Sequence, residues 1–460
     1  MALVLGIDSS TQSTKALLVD DETGRVVESG RAPHPEGTEV DPRAWLRAVD
    51  DAAGTLLERA EAVAVGGQQH GMVALDEHGQ PVRDALLWND TRSADQAAAL
   101  VAEMGGPHAC VEEIGYVLVA SMTSTKLRWM AEHEPENATR TASVLLPHDF
   151  VSRHLGGEVA PFTDRGDASG TGYYSTRTES WNHDLVSLAL GHDVMLPSVA
   201  ASPHQIMGHT PGGAALAPGT GDNMAAALGL SLRPGDVSVS IGTSGVAAMV
   251  GDLRPADPSG TVTGFADATG RFLPMATTLN AARILDFGCR LLGVDHDGLS
   301  TLALASRPGA GGVVLLPYFD GERTPNRPGA SGVFAGMTSA TDRHDIARAC
   351  VEGLLASLAD AVAAVEKVAG REAGRILLIG GGARSDAVRR LAPTVFGRPV
   401  VVPPPGEYVA LGAARQAAWA LSGAAEPPVW QMGEASEYDA APEPEVMARY
   451  LSLKERTAAW

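Results

Sequence analysis

An aspartate and an asparagine in the middle of the chain, Asp222 and Asn223, could bind an alcohol and activate it. A carboxylate beside a bound hydroxyl can take its proton while the oxygen attacks an electrophile, and the neighbouring amide could hydrogen-bond the same polyol. An alanine-rich helical stretch follows directly, so Asp222 is also a candidate helix cap, which by position alone is the commoner outcome. The choice between base and cap therefore depends on the other motifs of the chain.

Two turns made of small residues are candidate phosphate-binding hairpins. They are residues 8–13 (Asp-Ser-Ser-Thr-Gln-Ser) and residues 242–245 (Gly-Thr-Ser-Gly), and each follows an apolar strand pattern. Glycine, serine and threonine let backbone amides and hydroxyl groups approach a phosphate closely. No lysine follows a glycine and no GxGxxG follows the first strand, which excludes a Walker loop and a Rossmann turn. One such turn alone is usually structural, but two of them half a chain length apart could hold a nucleotide's phosphates from both sides.

Polar side chains gather beside two further strand patterns. Residues 67–72 (Gly-Gln-Gln-His-Gly-Met) contain Gln69 and His70, and residues 88–92 (Trp-Asn-Asp-Thr-Arg) add an aromatic ring. Sugars require such convergent donors and acceptors, often beside an aromatic face. A single histidine at a strand end is usually structural, so only the cluster as a whole indicates a sugar site.

Three consecutive glycines begin the last motif, residues 380–385 (Gly-Gly-Gly-Ala-Arg-Ser), which follows an apolar strand pattern. Such a run lets a flat ligand such as adenine approach the backbone closely. The alternative is an ordinary tight turn, and three glycines alone are weak evidence for a nucleotide.

The hydrophobic pattern predicts strands alternating with helices, which is typical of the α/β class. The expected strands are residues 3–7, 16–19, 62–65, 236–241, 246–250 and 376–379. The expected helices are one capped by Asp41 with Pro42 at its first position, one over residues 354–368 and one over residues 446–453, after an irregular stretch over residues 424–444.

The strand–turn–strand pattern of residues 3–19 recurs at residues 236–250, which indicates a duplicated domain rather than a short-period repeat. A turn-rich stretch at residues 218–221 predicts the boundary. We therefore expect one domain over residues 1–220 and another over residues 221–460, with a terminal helix that packs back on the first domain.

Composition narrows the classes of protein and partner. The 460 residues suffice for two or three domains that each bury a core, and the net charge of −20 argues against nucleic-acid binding. The 3 scattered cysteines suit a reducing compartment, and no apolar run fits a signal peptide or a membrane span. We expect a cytoplasmic protein with no nucleic-acid or membrane partner. The oligomeric state stays open, with a homodimer as one option.

These motifs, in this order, resemble the FGGY carbohydrate kinases, which are relatives of actin and hexokinase. Residues 6–11 and 242–245 are similar to the two phosphate motifs of that superfamily, and residues 121–130 and 332–352 to the two family signatures. The second signature departs from the family pattern at Cys350, which we interpret as a packing substitution. The resemblance implies two ribonuclease-H-like domains of the actin-like ATPase fold, with ATP and a sugar bound in an interdomain cleft.

The resemblance also implies roles for single residues. Asp222 would be the general base, and Asp8 would orient Mg²⁺ through water. The residues that would hold the sugar are Gln69, His70, Asp222 and Asn223. The residues that would bind ATP are Thr11, Gly242 and Thr243 at the phosphates and Gly381, Gly382 and Ser385 at the adenosine.

Within the family, residues 69–71 and 88–92 are similar to the motifs of members that phosphorylate D-xylulose to D-xylulose 5-phosphate. Glycerol kinases carry Arg-Glu where Gln69 and His70 stand, and Gln where Asn223 stands. The alternatives are a kinase of ribulose, fuculose, gluconate or deoxyxylulose, and a non-enzymatic sugar sensor on the same fold. The candidate base and the polar cluster argue against a sensor.

Overall fold

The computed structural model describes residues 2–431 and 433–458, which contain two seven-stranded sheets flanked by helices. The strands of the first sheet are β1 (Leu3–Ser9), β2 (Ser13–Asp20), β3 (Val26–Pro33), β4 (Ala62–Gly67), β5 (Gly208–His209), β6 (Ala215–Leu216) and β7 (Thr220–Gly221). Their spatial order is β5-β6-β4-β1-β2-β3, and β7 pairs with the end of β4. The predicted α/β class is confirmed.

The second sheet repeats the central motif of the first. Its strands are β8 (Asp236–Ile241), β9 (Gly245–Met249), β10 (Thr263–Ala266), β11 (Phe272–Thr278), β12 (Arg375–Ile379), β13 (Val400–Val402) and β14 (Ser436–Tyr438). Their order is β10-β11-β9-β8-β12-β13-β14. In both sheets one strand forms a hairpin with an antiparallel neighbour and pairs with a parallel strand on its other side: β1 with β2 and β4, and β8 with β9 and β12.

Helices cover both sheets. In the first half they are α1 (Arg43–Leu57), α2 (Ala94–Glu103), α3 (Pro107–Ile114), α4 (Thr123–His133), α5 (Pro135–Arg140), α6 (Pro147–Leu155), α7 (Arg165–Ala168), α8 (His183–Leu190) and α9 (Asp222–Gly229). In the second half they are α10 (Ala282–Leu292), α11 (His296–Ala305), α12 (Arg343–Ala369), α13 (Asp386–Phe396), α14 (Tyr408–Ser422) and α15 (Pro444–Arg456). None of these helices is both long and apolar enough to cross a membrane.

Short two-stranded pairs complete the described structure. They are Glu39–Val40 with Ala85–Leu86, Val73–Leu75 with Ser143–Leu145, Phe162–Thr163 with Ser198–Val199, Tyr174–Ser175 with Ser180–Trp181, and Val314–Leu316 with Val333–Ala335.

One helix of the second half, α14, crosses back onto the first sheet, where it packs on β1, β4 and α9. This approach requires glycine: a Cβ on Gly412 would lie 1.8 Å from the carbonyl oxygen of Ala225, and a Cβ on Gly6 would lie 1.9 Å from that of Ala410. The close packing fixes α9, the helix that begins with Asp222, against the first sheet.

The start of α1 agrees with the sequence pattern. The Asp41 carboxylate accepts a hydrogen bond from the backbone N–H of Arg43 at 3.0 Å, and Pro42 has helical backbone angles with φ −63°. Asp41 is therefore the cap, with Pro42 in the first turn as predicted. Cys350 is fully buried in the core of the second domain, which agrees with its interpretation as a packing residue.

Other elements differ from the expectation. Strand β3 was not expected, because it lies at a sheet edge and is mostly exposed, which weakens its apolar pattern. Within the described residues, the terminal helix α15 packs mainly on α12, α13 and strand Val314–Leu316 of the second domain, because its buried side chains join that core. Helix α9 packs with the first sheet, so the division at residue 220 stays a prediction.

Candidate active site

A cleft between the two sheets holds a cavity of about 1050 Å³. The first sheet and α9 contribute Asp8, Lys15, Asp222 and Asn223 to its wall, and the glycine run after β12 contributes Gly381. Elements from opposite halves of the sequence thus enclose one space, large enough for a nucleotide beside a small polyol.

Asp222 is the first residue of α9, but it does not cap that helix. The N-cap position belongs to Gly221, and no side chain caps the helix. Asp222 Oδ1 instead accepts hydrogen bonds from the backbone N–H of Asn223 at 2.8 Å and from Asn223 Nδ2 at 2.9 Å. The second carboxylate oxygen has no hydrogen-bond partner among residues 2–431 and 433–458. It therefore remains available to a ligand in the cleft.

The surroundings of Asp222 suit a base that works near neutral pH. Burial, together with the nearby carboxylates of Asp8 and Asp167, raises the pKa of Asp222 to about 7. The hydrogen bonds from Asn223 act in the opposite direction without cancelling this rise. A carboxylate with such a pKa can accept a proton from a hydroxyl group and return it to solvent within one turnover.

Three residues predicted to hold the sugar, Gln69, Asn223 and Asp222, form a continuous series of hydrogen bonds, which we call the sugar row. Asn223 Nδ2 donates to Gln69 Oε1 at 3.0 Å and to Asp222 Oδ1. The row forms because β7 and β4 are parallel, with Gly221 paired to Gly67, so the residues that follow the two strands meet at one edge.

His70 lies next to the sugar row, is 8% exposed and has a φ of 66°. Its carbonyl oxygen accepts hydrogen bonds from Lys126 Nζ and Thr123 Oγ1, both at 3.2 Å, and these bonds hold the left-handed backbone. Burial, with the cations of Lys126 and Arg323, lowers the pKa of His70 to about 3. Because Nδ1 donates to the Gly170 carbonyl at 2.8 Å, the neutral ring leaves Nε2 as an acceptor for a ligand hydroxyl.

Trp88 forms a hydrogen bond with the first hairpin. Its side chain is 42% exposed, and its indole Nε1 donates to Thr11 Oγ1 at 2.9 Å. The Thr11 hydroxyl in turn lies 3.5 Å from Gln68 Oε1. Thr11 was expected at the phosphates. Its hydroxyl is engaged by Trp88, so its role as a phosphate ligand stays a prediction.

The first hairpin places Asp8 opposite Lys15 in the pairing of β1 with β2. Asp8 is 2% exposed, and its Oδ2 lies 3.4 Å from Lys15 Nζ, which also lies 2.6 Å from Glu407 Oε2. Burial raises the pKa of Asp8, and the Ser10 hydroxyl and Lys15 oppose that rise. Lys15 was missed from the sequence, although the register of the hairpin would have placed it beside Asp8.

The second hairpin has its turn at Gly242 and Thr243, between β8 and β9. Their carbonyl oxygens accept hydrogen bonds from the backbone N–H groups of Ala282 and Ala281 at the start of α10. Thr243 is exposed. The wall of the cavity includes Ser240 and Val246 on either side of this turn. A phosphate contact by the turn itself stays a prediction.

The predicted adenosine residues have different surroundings. Gly381 lines the cavity, and a Cβ there would meet no atom within 4 Å. A Cβ on Gly382 would lie 2.4 Å from Ile241 Cγ2, so this glycine permits packing on β8. The Ser385 hydroxyl caps α13 by accepting a hydrogen bond from the Val388 N–H at 3.5 Å. Gly381 is therefore the member of the three that is open to a nucleotide.

The sequence matches known proteins along most of its length. Residues 3–229 match the N-terminal domain, and residues 237–421 the C-terminal domain, of the FGGY family of carbohydrate kinases. The chain is 47% identical over 436 residues to a xylulose kinase of Streptomyces coelicolor, covering 92% of this chain and 88% of the relative. It is 33% identical to a xylulose kinase of Escherichia coli, covering 90% and 89%.

Solved structures agree with these matches. The crystal structure of xylulose kinase from Bifidobacterium adolescentis has a TM-score of 0.94 and 46% identity, covering 98% of this chain and 99% of the other. A glycerol kinase from Plasmodium falciparum, at 18% identity and a TM-score of 0.88, shares the fold. The chain therefore belongs to the FGGY family of carbohydrate kinases, and its two domains have the actin-like ATPase fold of these sugar kinases. It is a carbohydrate kinase.

Proposed function

We propose that this enzyme transfers the γ-phosphoryl group of ATP to the 5-hydroxyl of D-xylulose, giving D-xylulose 5-phosphate and ADP. The observation that carries the proposal is the position of Asp222, which joins the sugar row and also lines the interdomain cavity. The choice of D-xylulose is supported by the relatives named xylulose kinase, two of which are 47% identical to this chain.

Asp222 is the base of this reaction. It takes the proton of the 5-hydroxyl while that oxygen forms a bond to the γ-phosphorus and the bond to the bridging oxygen of ADP breaks. ADP leaves with the electron pair of the broken bond. A pKa of about 7 lets the carboxylate exist in its basic form at neutral pH.

The sugar is held by groups with fixed donor and acceptor roles. Gln69 and Asn223 present amide groups to its hydroxyls, and His70 Nε2 accepts a hydrogen bond from one of them. Because His70 is buried and neutral, it orients the sugar without taking part in proton transfer.

ATP occupies the remainder of the cavity. Lys15 provides a cation near the phosphates, Gly242 and Thr243 form the turn that would meet them, and Gly381 lets the adenosine approach the backbone. Phosphoryl transfer depends mostly on such positioning and on charge stabilisation.

Mg²⁺ fits beside Asp8. The ion prefers oxygen ligands, keeps several waters and binds proteins through one or two carboxylates together with substrate phosphates. Asp8 supplies one nearly buried carboxylate at the cavity wall, next to the space for the phosphates. Held there through water, Mg²⁺ would neutralise charge on the β- and γ-phosphates.

The test is a coupled assay of ADP release over a panel of D-xylulose, L-ribulose, L-fuculose, D-gluconate, deoxyxylulose and glycerol. D-xylulose should give the highest kcat/KM. Greater efficiency with another acceptor would contradict the choice of sugar.

A further inference from the structure

A buried group of charged side chains lies behind the sugar row, and the reaction described above does not use it. Each member is at most 4% exposed: His148, Asp149, Asp164 and Asp167. Burying this many ionisable groups is costly unless they are paired, so their arrangement calls for an explanation.

His148 lies between two of these carboxylates. Its Nδ1 is 2.5 Å from Asp167 Oδ2, and its Nε2 is 3.2 Å from Asp149 Oδ1. Burial alone would lower the pKa of His148, but the carboxylates outweigh it and raise the pKa to about 9. The ring is therefore an imidazolium at neutral pH. It donates to one oxygen of Asp167 and leaves the other for a different partner.

The Gln69 amide is the group available to that other oxygen. Burial raises the pKa of Asp167, and hydrogen bonding by His148 and by the Gln69 side chain opposes the rise. Asp167 Oδ1 and Gln69 Nε2 are both buried and have no hydrogen-bond partner among the described residues, so each is the available partner of the other. Because an ionised carboxylate only accepts, Gln69 must turn its NH₂ group toward Asp167 and its Oε1 toward Asn223.

The same short stretch of chain reaches the other sugar-binding residues. We call residues 164–170, which include α7, the α7 segment. Its Gly170 carbonyl accepts the hydrogen bond from His70 Nδ1 at 2.8 Å. Its Asp164 accepts a hydrogen bond from Thr220 Oγ1 at 2.8 Å, two residues before Asp222. One segment is therefore bonded to His70 and to the strand that leads into Asp222, and its Asp167 carboxylate has a free oxygen for the Gln69 amide.

We propose that the α7 segment is the scaffold that orients the sugar ligands, and that Asp167, held by His148, is a positioning residue that fixes the Gln69 amide for sugar binding. This inference rests on the proposed function only in that the sugar row binds the phosphoryl acceptor.

A metal site is the competing explanation of the same side chains, since ligand atoms of His148, Asp149 and Asp167 lie within 4.8 Å of one another. The separation of 2.5 Å between His148 Nδ1 and Asp167 Oδ2 is that of a short charged hydrogen bond. Two ligands with bonds of about 2 Å to one ion lie farther apart than this. A shared proton therefore fits the geometry better than an ion.

The test exchanges the donor and the acceptor of the proposed hydrogen bond between residues 69 and 167, first one at a time and then together. Gln69→Glu places a carboxylate against Asp167, and Asp167→Asn places an NH₂ group against the Gln69 amide. Each substitution should raise the KM for the sugar by about 10-fold or more, with little change in the KM for ATP. In the double variant, the new amide at position 167 can accept from His148 and donate to the new carboxylate at position 69. That carboxylate can still accept from Asn223.

The double variant should therefore return to within about fivefold of the wild-type sugar KM, as expected for residues in one network. A double variant whose loss equals the product of the two single losses would overturn the proposal. If the Asp167 variants do not fold, Gln69→Glu alone tests the proposal. An unchanged sugar KM in this variant would mean that no carboxylate faces residue 69 and would overturn the proposal. One bound divalent ion per chain, lost in His148→Gln, would establish the metal site instead.

Asp267→Asn is the matched control. Asp267 is another buried aspartate, in the turn between β10 and β11, where it binds the backbone N–H groups of Thr269 and Arg271. Its substitution should leave the sugar KM unchanged. The variants are assayed with the sugar that the wild-type enzyme uses best. If that sugar is not D-xylulose, the proposed substrate is wrong, but the comparison of single and double variants still tests the role of Asp167.

Discussion

The Asp222 carboxylate both removes a proton and orients the attacking hydroxyl in the proposed reaction. Asp222→Asn keeps the shape of the side chain and an oxygen that can accept from the Asn223 N–H. It should lower kcat by at least about 10²-fold, because the amide is not a base. The KM for ATP should change little, since the phosphate hairpins lie elsewhere. Steady-state kinetics with the sugar and with ATP varied in turn measure both effects.

Asp184→Asn is a suitable control for this experiment, because Asp184 is an exposed acid in the first turn of α8, outside the cleft. Its kcat should equal that of the wild type. If Asp222→Asn also kept the wild-type kcat, with an unchanged unfolding temperature, Asp222 would have no catalytic role.

The pH dependence of the reaction should report the raised pKa of Asp222. A general base is active only when deprotonated, so kcat/KM for the sugar should rise tenfold per pH unit up to about pH 7 and then level off. His70, with its pKa lowered to about 3, stays neutral throughout and adds no second step. Rates measured from about pH 5.5 to 9 test this profile, and a flat profile down to the lowest pH would contradict it.

The sequence selected the side chains that the structure joins in the sugar row, because polar residues stood directly after strand patterns, and their role in sugar binding stays a prediction. It could not assign Gly382 and Ser385, since a glycine needed for packing and a serine that caps a helix look the same as ligands in a sequence. It also missed Lys15, which becomes significant only through its position opposite Asp8.

At the level of elements, the crossing of α14 over α9 positions Asp222, the proposed base. Gly412→Ala would place a Cβ 1.8 Å from the Ala225 carbonyl oxygen, so one helix must move. Overpacking of this kind costs about 1–3 kcal/mol, and a displaced α9 carries Asp222 with it. Gly412→Ala should therefore lower both the free energy of unfolding and kcat, measured by denaturant unfolding and by kinetics.

A second helical glycine provides the comparison. A Cβ on Gly54, within α1, would meet no atom within 4 Å. Gly54→Ala should therefore stabilise the protein by about 0.5–1 kcal/mol, because alanine loses less conformational entropy in a helix. Equal effects of the two substitutions on stability would show that the crossing is not tightly packed.

The sequence predicted the buried strands well, since β1, β4 and β12 contain continuous apolar runs next to turns and β8 alternates apolar with polar residues. It did not predict β3, whose exposed residues carry little pattern. Nor did it predict which helix returns to the first domain. The small residues of α14 allow its close packing on α9 and β1. Because these elements are distant in the sequence, the sequence alone does not show why those residues are small.

At the scale of the whole molecule, side chains of both domains lie at the proposed sugar site, which predicts closure of the cleft on ligand binding. The ring of Phe265 in the second sheet lies 5.5 Å from that of His70 in the first domain. Small-angle scattering should show a smaller radius of gyration when D-xylulose and a non-hydrolysable ATP analogue are added, because closure excludes water from the reaction. An unchanged radius of gyration would contradict a mobile cleft.

The duplicated architecture was predictable because its hairpin motif occurs twice, half a chain length apart. The position of the domain boundary was not predictable. Helix α9, which follows the predicted boundary, packs on the first sheet, and the second sheet begins only at Asp236. A boundary read from turn-rich residues alone does not reveal such packing.

The most direct test of the account is to follow the phosphorus of ATP by ³¹P nuclear magnetic resonance in the presence of the protein, Mg²⁺ and D-xylulose. The γ-phosphate signal should be replaced, one for one, by ADP and a phosphate ester on carbon 5 of the sugar, and no ADP should accumulate without sugar. Formation of ADP and inorganic phosphate without the ester would contradict phosphoryl transfer and would indicate an ATPase or a sensor on the same fold.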